Sequence, residues 1–154
     1  MGLEIERKFL VRGAAWKALG AGVPMRQGYL SIDPERVVRV RVEGDEATLT
    51  IKGRSVGAVR GEWEYPIPKS DAQALLTQLA LRPLIEKSRY RIPYQGMTWE
   101  VDEFYGDNAG LVVAEIELIA EDQAFEKPDW IGEEVTLDAR YFNANLLRHP
   151  YSAW

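Results

Sequence analysis

A chain of 154 residues with 46% hydrophobic and 28% charged side chains has the composition of one globular domain, long enough to bury a core without disulfide staples. The net charge of −5 speaks against a nucleic-acid partner, which needs a basic face. The absence of cysteine and the single histidine, His149, exclude disulfides, thiolate metal sites, a cysteine nucleophile and a histidine relay.

In chain order, the first strand carries Glu4, Glu6 and Lys8 on one face and Leu3, Ile5 and Phe9 on the other, because successive side chains of a strand alternate. Arg7 falls on the apolar face and has no evident reason to be there. Residues 14–19 read as a short helix ended by Gly20 and Gly22. Residues 25–32 form a second strand, with Gln27 and Tyr29 on one face. After the Asp33-Pro34 turn, residues 37–43 set Arg39, Arg41 and Glu43 against Val38, Val40 and Val42. Gly44-Asp45 makes a hairpin turn into residues 47–52, where Thr48, Thr50 and Lys52 alternate with Ala47, Leu49 and Ile51. Residues 53–61 are a glycine-containing loop without the Gly-Lys-Ser/Thr ending of a P-loop. The fifth strand, 62–67, has Glu62 and Glu64 on one face and Trp63, Tyr65 and Ile67 on the other. Ser70-Asp71 caps a helix over 72–81, which Arg82-Pro83 ends. Three further strands follow. Residues 86–92 carry Lys87, Arg89 and Arg91, residues 97–104 carry Glu100 and Asp102, and residues 111–119 carry Glu115 and Glu117. A short helix is expected over 121–130, broken at Pro128, and a last one over 139–147, capped by Asp138.

One charged strand face is ordinary. Here seven of eight strands repeat the pattern, and their opposite faces are apolar almost throughout. Like charges on a wet sheet face repel, so the recurrence points to faces that converge. An antiparallel sheet of eight strands that closes on itself gathers all inward side chains into one lumen, wide enough for side chains or one small ligand. Unpaired charge lining such a lumen costs several kcal/mol per ion, so the natural occupant is a strongly anionic molecule arriving with divalent cations. Arginine forks and lysines suit phosphate oxygens, and carboxylate pairs suit hard cations such as Mg²⁺ or Mn²⁺.

Glu4-x-Glu6-x-Lys8 resembles the ExExK signature of the CYTH superfamily, the triphosphate tunnel metalloenzymes. Arg39-x-Arg41, Lys52, Glu62-x-Glu64, Lys87-x-Arg89, Asp102 and Glu115-x-Glu117 follow in the order of that family's strand motifs. The resemblance runs along the whole chain, 1–154, as a single domain. It implies an α+β fold, an eight-stranded antiparallel β-barrel tunnel with helices packed on the outside. It also implies that Lys8, Arg39, Arg41, Lys52, Lys87 and Arg89 hold a triphosphate. Glu4, Glu6, Glu115 and Glu117 would bind the metal, with Asp102 nearby, and Glu62 and Glu64 would bind a second metal or orient water. Glu4, Glu6, Glu62 and Glu64 are thus the expected catalytic carboxylates, with Mg²⁺ or Mn²⁺ as cofactor.

Phosphoryl transfer needs positioning and charge neutralisation more than covalent chemistry, which fits a chain without a Cys or His nucleophile. Hydrolysis of inorganic tripolyphosphate demands least beyond the tunnel and ranks first. A class IV-type adenylate cyclase, a thiamine triphosphatase and a non-catalytic polyphosphate- or nucleotide-binding module use the same residues and stay open. No apolar run is long enough to span a bilayer and no signal-peptide pattern precedes Glu4, so the expectation is a cytoplasmic protein without membrane or nucleic-acid partners; a homodimer is compatible with the sequence.

Overall fold

The computed structural model describes residues 2–154. Its strands are β1 (Gly2–Val11), β2 (Gly22–Ser31), β3 (Val37–Glu43), β4 (Glu46–Lys52), β5 (Val59–Pro66), β6 (Ile85–Tyr94), β7 (Met97–Phe104), β8 (Val112–Glu117) and β9 (Ile131–Glu134), with one α-helix, α1 (Lys69–Gln78). All pairings are antiparallel. β5, β4, β3, β2, β6, β7, β8 and β1 follow one another, and β1 then pairs with β5, which closes an eight-stranded barrel. Closure uses only Gly2 to Ile5 of β1; further along the same edge, Phe9 and Val11 pair with β9. Closure and β9 together cover most of the sheet edge that would otherwise invite association.

Two of the expected helices are short 3-10 turns and one is absent. Residues Ala15–Leu19 are 3-10, and residues 121–130 are turns and extended chain that lead into β9. β9 carries Ile131-Gly132-Glu133-Glu134, which has no alternation by which to recognise a strand. It also explains Arg7, whose Nε donates to Glu134 at 2.8 Å on the outer wall while its guanidinium lies over Phe125. The last segment is two 3-10 turns, Ala139–Tyr141 and Asn143–Leu147, separated by an extended Phe142.

The outward apolar faces are covered in two places. α1 lays Ala72 and Leu76 on Val40 and Ala47. It comes close because Gly28 has no side chain; a Cβ there would meet Leu76 and Leu84 at 2.8 Å. On the other side Trp99 is ringed edge-to-face by Phe9, Phe125 and Trp130, with Trp16 against Tyr90.

A third apolar cluster lies inside the barrel, at one end. Tyr29, Val37, Ile85, Phe104 and Val113 from the strands pack against Tyr141, Ala144, Leu146 and Leu147. The C-terminal turns therefore do not lie on the outside of the wall. They fill one end of the lumen and make it a cavity with a floor. Ala144 and Leu147 are three residues apart, the spacing at which a 3-10 helix eclipses its side chains.

Leu146 is fully buried in that floor. Leu146→Ala is expected to lower the unfolding free energy by roughly 2–5 kcal/mol, measured by chemical denaturation. A loss well under about 1 kcal/mol would show that the floor folds independently of the barrel.

Candidate active site

The barrel order sorts the lumen charges into two walls. The basic strands β3 and β6 flank β2, so Arg39, Arg41, Lys87 and Arg89 share one side. The carboxylates come from β7, β8, β1 and β5, which are contiguous around the other side. Register brings Glu6 opposite Glu117, Lys8 opposite Glu115, and Glu100 opposite Glu115. The walls enclose a cavity of about 1050 Å³.

On the acidic wall two ammonium groups stand among five carboxyls. Lys8 Nζ lies 3.1 Å from Glu6 and 3.4 Å from Glu115. Lys52 Nζ lies 3.0 Å from Glu4 and 3.4 Å from Glu62. Glu117 completes the set. Negative charge is in excess, and protons redistribute accordingly. Burial, reinforced by the Glu115 charge, holds the Glu6 carboxyl well above its ordinary range. Burial raises Glu115 as well, but Lys8 and the hydrogen bond from Glu6 outweigh it, so Glu115 stays ionised. Glu62 is likewise pushed up to about 7 by burial and by Glu4. For Glu4 itself, burial is overcome by Lys52 and by the hydrogen bond from Glu62, and the net shift is downward. Within each pair the two pKa values are driven apart, the expected outcome for like charges brought together out of water.

The basic wall is held by Asp102, which is wholly buried. Its two oxygens accept from Arg89 Nε at 2.8 Å, Arg89 Nη2 at 2.9 Å and Lys87 Nζ at 2.7 Å. Asp102 anchors the cations and stands apart from the acidic group. Thr50 ties the walls together, accepting from Arg39 Nη2 at 3.2 Å and donating to Glu64 at 3.1 Å. At the mouth Arg91 pairs with Glu43 and Glu100.

Among the described residues, three basic groups of the lumen keep unmet capacity. Arg39 Nε is buried with no acceptor. Arg41 has only the amide oxygen of Gln27, 2.9 Å from its Nε, and burial together with Arg39 and Arg89 lowers its pKa to about 10. Arg60 opposes Glu4 across the strands but donates only to the Gly53 carbonyl, its guanidinium lying over Phe142. An anion with several oxygens answers all three.

A CYTH domain model matches residues 2–151. The chain belongs to the CYTH family. Among CYTH relatives, the inorganic triphosphatase of Acetivibrio thermocellus is 55% identical over 151 residues, covering 98% of this chain and 97% of its own length. The inorganic triphosphatase of Nitrosomonas europaea is 40% identical over 148 residues, covering 93% and 95%. A solved inorganic triphosphatase superposes with a TM-score of 0.66 at 37% identity, covering 93% of this chain and 96% of its own. A Bacillus halodurans chain with a TM-score of 0.63 at 21% identity, covering 79% and 84%, shares the CYTH fold alone.

CYTH triphosphatases depend on metal, and the residues present fit one. Glu4, Glu6 and Glu117 each offer a carboxylate oxygen, all within 4.8 Å of one another. An all-oxygen set with surplus negative charge suits a hard divalent cation. Glu115 adjoins this group through Glu6 but is committed to Lys8; Asp102, expected near the metal, is committed to the basic wall.

Sequence reasoning left Arg60, Gln27 and Tyr29 outside the expected site and missed Asn143. Arg60, at a strand end where the sequence leaves rim and lumen equally open, lies two and four positions before Glu62 and Glu64, and strand alternation puts it on their face. For Gln27 and Tyr29 the sequence favours a structural role over lining the tunnel; Tyr29 lines the cavity and Gln27 holds Arg41. Asn143, from the floor, accepts from Lys87 Nζ at 2.9 Å and has no sequence signal at all.

Lys87 is 1% exposed, and its pKa falls to about 7 because burial, aided by Arg89 and Arg41, outweighs Asp102. Between about pH 7 and the unfolded value near 10.5, the unfolded chain holds a proton that the folded chain lacks, so this group makes stability rise with pH. Relative to Lys87→Met, the wild-type protein is expected to gain up to about 1.4 kcal/mol per pH unit from pH 7.5 to 9, measured by urea unfolding. A stability difference that is flat or falls over that window would overturn the assignment.

Proposed function

We propose that this protein hydrolyses inorganic triphosphate to diphosphate and phosphate with a divalent cation, Mg²⁺ or Mn²⁺, inside the barrel. The observation that carries the reading is the pair of opposed walls, one with unmet guanidinium donors and the other with carboxylates in excess of its ammonium groups. Two relatives aligned over nearly their whole length bear the name inorganic triphosphatase, which supports the same reading.

Arg39, Arg41, Lys87 and Arg89 take the phosphate oxygens from one side, and Lys8 and Lys52 from the other. Arginine forks bind two oxygens of one phosphate, which fixes the chain of phosphates along the wall. Glu4, Glu6 and Glu117, with Glu115 beside them, hold the cation. When bound, that cation neutralises phosphate charge and polarises the phosphoryl oxygens. Glu62 and Glu64 face the phosphates beside Lys52 and Thr50 and orient the attacking water. The reaction needs in-line water, a stabilised leaving diphosphate and little else from the protein.

The floor and mouth support an inorganic substrate over a nucleotide or thiamine triphosphate. The aromatic rings lining the cavity are Tyr29 and Phe142, both at the closed end. Among the described residues the mouth offers no ring on which a base could stack and is lined by Glu43, Glu46, Thr98 and Glu100. No helix is long and apolar enough to cross a membrane. We place the protein in the cytoplasm as one domain over residues 1–154, of which Met1 lies outside the described residues, and without nucleic-acid partners.

A panel of inorganic triphosphate, ATP and thiamine triphosphate with Mg²⁺ and with Mn²⁺ tests the reading. Phosphate release is expected from inorganic triphosphate with a kcat/KM at least about tenfold above the others. Cyclic AMP from ATP would replace hydrolysis by the cyclase reading, and tight binding without turnover would reduce the protein to a binding module.

Glu4→Gln and Glu6→Gln each remove one anionic oxygen from the cation set. Each is expected to lower kcat/KM by more than about a hundredfold and to weaken Mn²⁺ binding by calorimetry, with the circular dichroism spectrum unchanged. Wild-type turnover in either variant would sink the cation assignment.

A further inference from the structure

The closed end of the cavity carries two neutral amides, Gln27 from β2 and Asn143 from the C-terminal floor. Gln27 is wholly buried and fully used: its Oε1 accepts from Arg41, and its Nε2 donates to Tyr29 OH at 2.9 Å and to Asn143 Oδ1 at 3.1 Å. Asn143 Oδ1 accepts a second bond, from Lys87 Nζ at 2.9 Å.

Two donors on one oxygen fix which way an amide points. Flipping Asn143 would take the acceptor from Lys87 Nζ and set its NH₂ against the Gln27 NH₂, a donor-to-donor clash that Gln27 cannot relieve because its oxygen holds Arg41. The Nδ2 group is therefore committed as a donor, and among the described residues it has no acceptor. Asn143 lines the cavity, and its Nδ2 is not among the buried atoms that lack a partner, so those hydrogens face the open space. A neutral donor held rigidly beside Lys87 and Arg41 complements an anionic oxygen and nothing on the protein.

We propose that Asn143 is a substrate-binding residue: its Nδ2 donates to an oxygen of the phosphate chain lodged at the floor, while Gln27 acts as the positioning residue that keeps the amide turned that way. The inference rests on the triphosphate reading given above and extends it. The C-terminal segment then closes the barrel and also contributes to the site, so the inner end of the phosphate chain meets a neutral donor there as well as cations. A hydrogen bond to a charged phosphate, once lost, weakens binding by about ten- to a hundredfold.

Asn143→Asp and Asn143→Ala separate this role from a merely structural one. Aspartate keeps an acceptor for Lys87 and Gln27 but removes the NH₂ and adds negative charge. Alanine removes donor and acceptor alike. A substrate-binding Asn143 predicts that Asp is the worse variant, with KM for inorganic triphosphate raised about a hundredfold against about tenfold for Ala, and with its melting temperature held at the wild-type value. A structural Asn143 predicts the reverse order, Ala losing stability and activity while Asp resembles wild type; that order overturns the proposal. Gln27→Glu keeps the bond to Arg41 and loses the donor that orients Asn143, and is expected to raise KM with kcat within about threefold. Calorimetric binding of inorganic triphosphate to the same proteins reads the ratios apart from turnover. Wild-type binding without hydrolysis would overturn the hydrolase reading and leave the Asn143 ratios to support or refute the contact; no wild-type binding at all would overturn both.

Discussion

Everything in this molecule depends on the two-residue alternation of its strands being wrapped into a closed ring. Each strand offers one apolar and one charged face, and closure leaves the charged faces no bulk water to point at. The outer faces solve their own problem conventionally, under α1 and under the Trp99 cluster. The inner faces must compensate one another. They do so at two seams. At the β6–β7 seam Arg89 meets Asp102 and Arg91 meets Glu100. At the β4 seam Thr50 and Lys52 stand between Arg39 on β3 and Glu64 and Glu62 on β5. Between the seams like charges remain adjacent, and what cannot be paired is left as carboxyls with raised pKa on one wall and guanidinium donors without acceptors on the other. A ring of alternating sign would have paired completely and offered a ligand nothing.

The floor shows the same logic in apolar form. A tunnel open at both ends would bathe its charges from two sides and screen them. Tyr141, Ala144, Leu146 and Leu147 shut one end against Ile85, Phe104 and Val113, which are the innermost members of the same lumen-facing rows that carry Lys87, Asp102 and Glu115. Within one strand, then, the row passes from apolar to charged as it leaves the floor. Lys87 lies at that boundary, 5.5 Å from the ring of Phe104, which is why burial lowers its pKa despite Asp102. Effective charge interactions strengthen as water is excluded, so the floor sharpens the field of the basic wall.

The lumen set was legible in the sequence because alternation is a local signal, and seven repetitions made convergence the simplest account. Register was not local. That Glu117 faces Glu6 while Asp102 faces Arg89 depends on how β8 slides along β1 and β7 along β6, and no spacing within a strand reveals it. Hence the carboxylates expected around one metal divide between a cation group and an anchor for arginine. β9 escaped because its four residues do not alternate, and it forms only where the edge of β1 is left free by β5. Arg7 had no reading until Glu134, 127 positions away, supplied its partner. The segment 139–147 was expected among the outer helices, with closure of one tunnel mouth left open, because an apolar stripe does not say which side of a barrel wall it covers.

The two walls also explain why anion and cation belong to one binding event. A cation alone among Glu4, Glu6 and Glu117 leaves the guanidinium donors unmet. An anion alone satisfies those donors but faces the surplus carboxylates across a narrow lumen. Each removes the electrostatic obstacle to the other, and reciprocity of binding free energies makes the gain the same in either order. The fold sets this coupling through strand order: β2 lies between the basic strands β3 and β6, so their charges face the carboxylates across the lumen while carrying few partners of their own. Where β6 does touch an acidic strand, at β7, Asp102 is consumed in holding Arg89 and Lys87 and is lost to the cation. Pairing within the wall and capacity for a ligand are alternatives at each lumen position, and the barrel order assigns them.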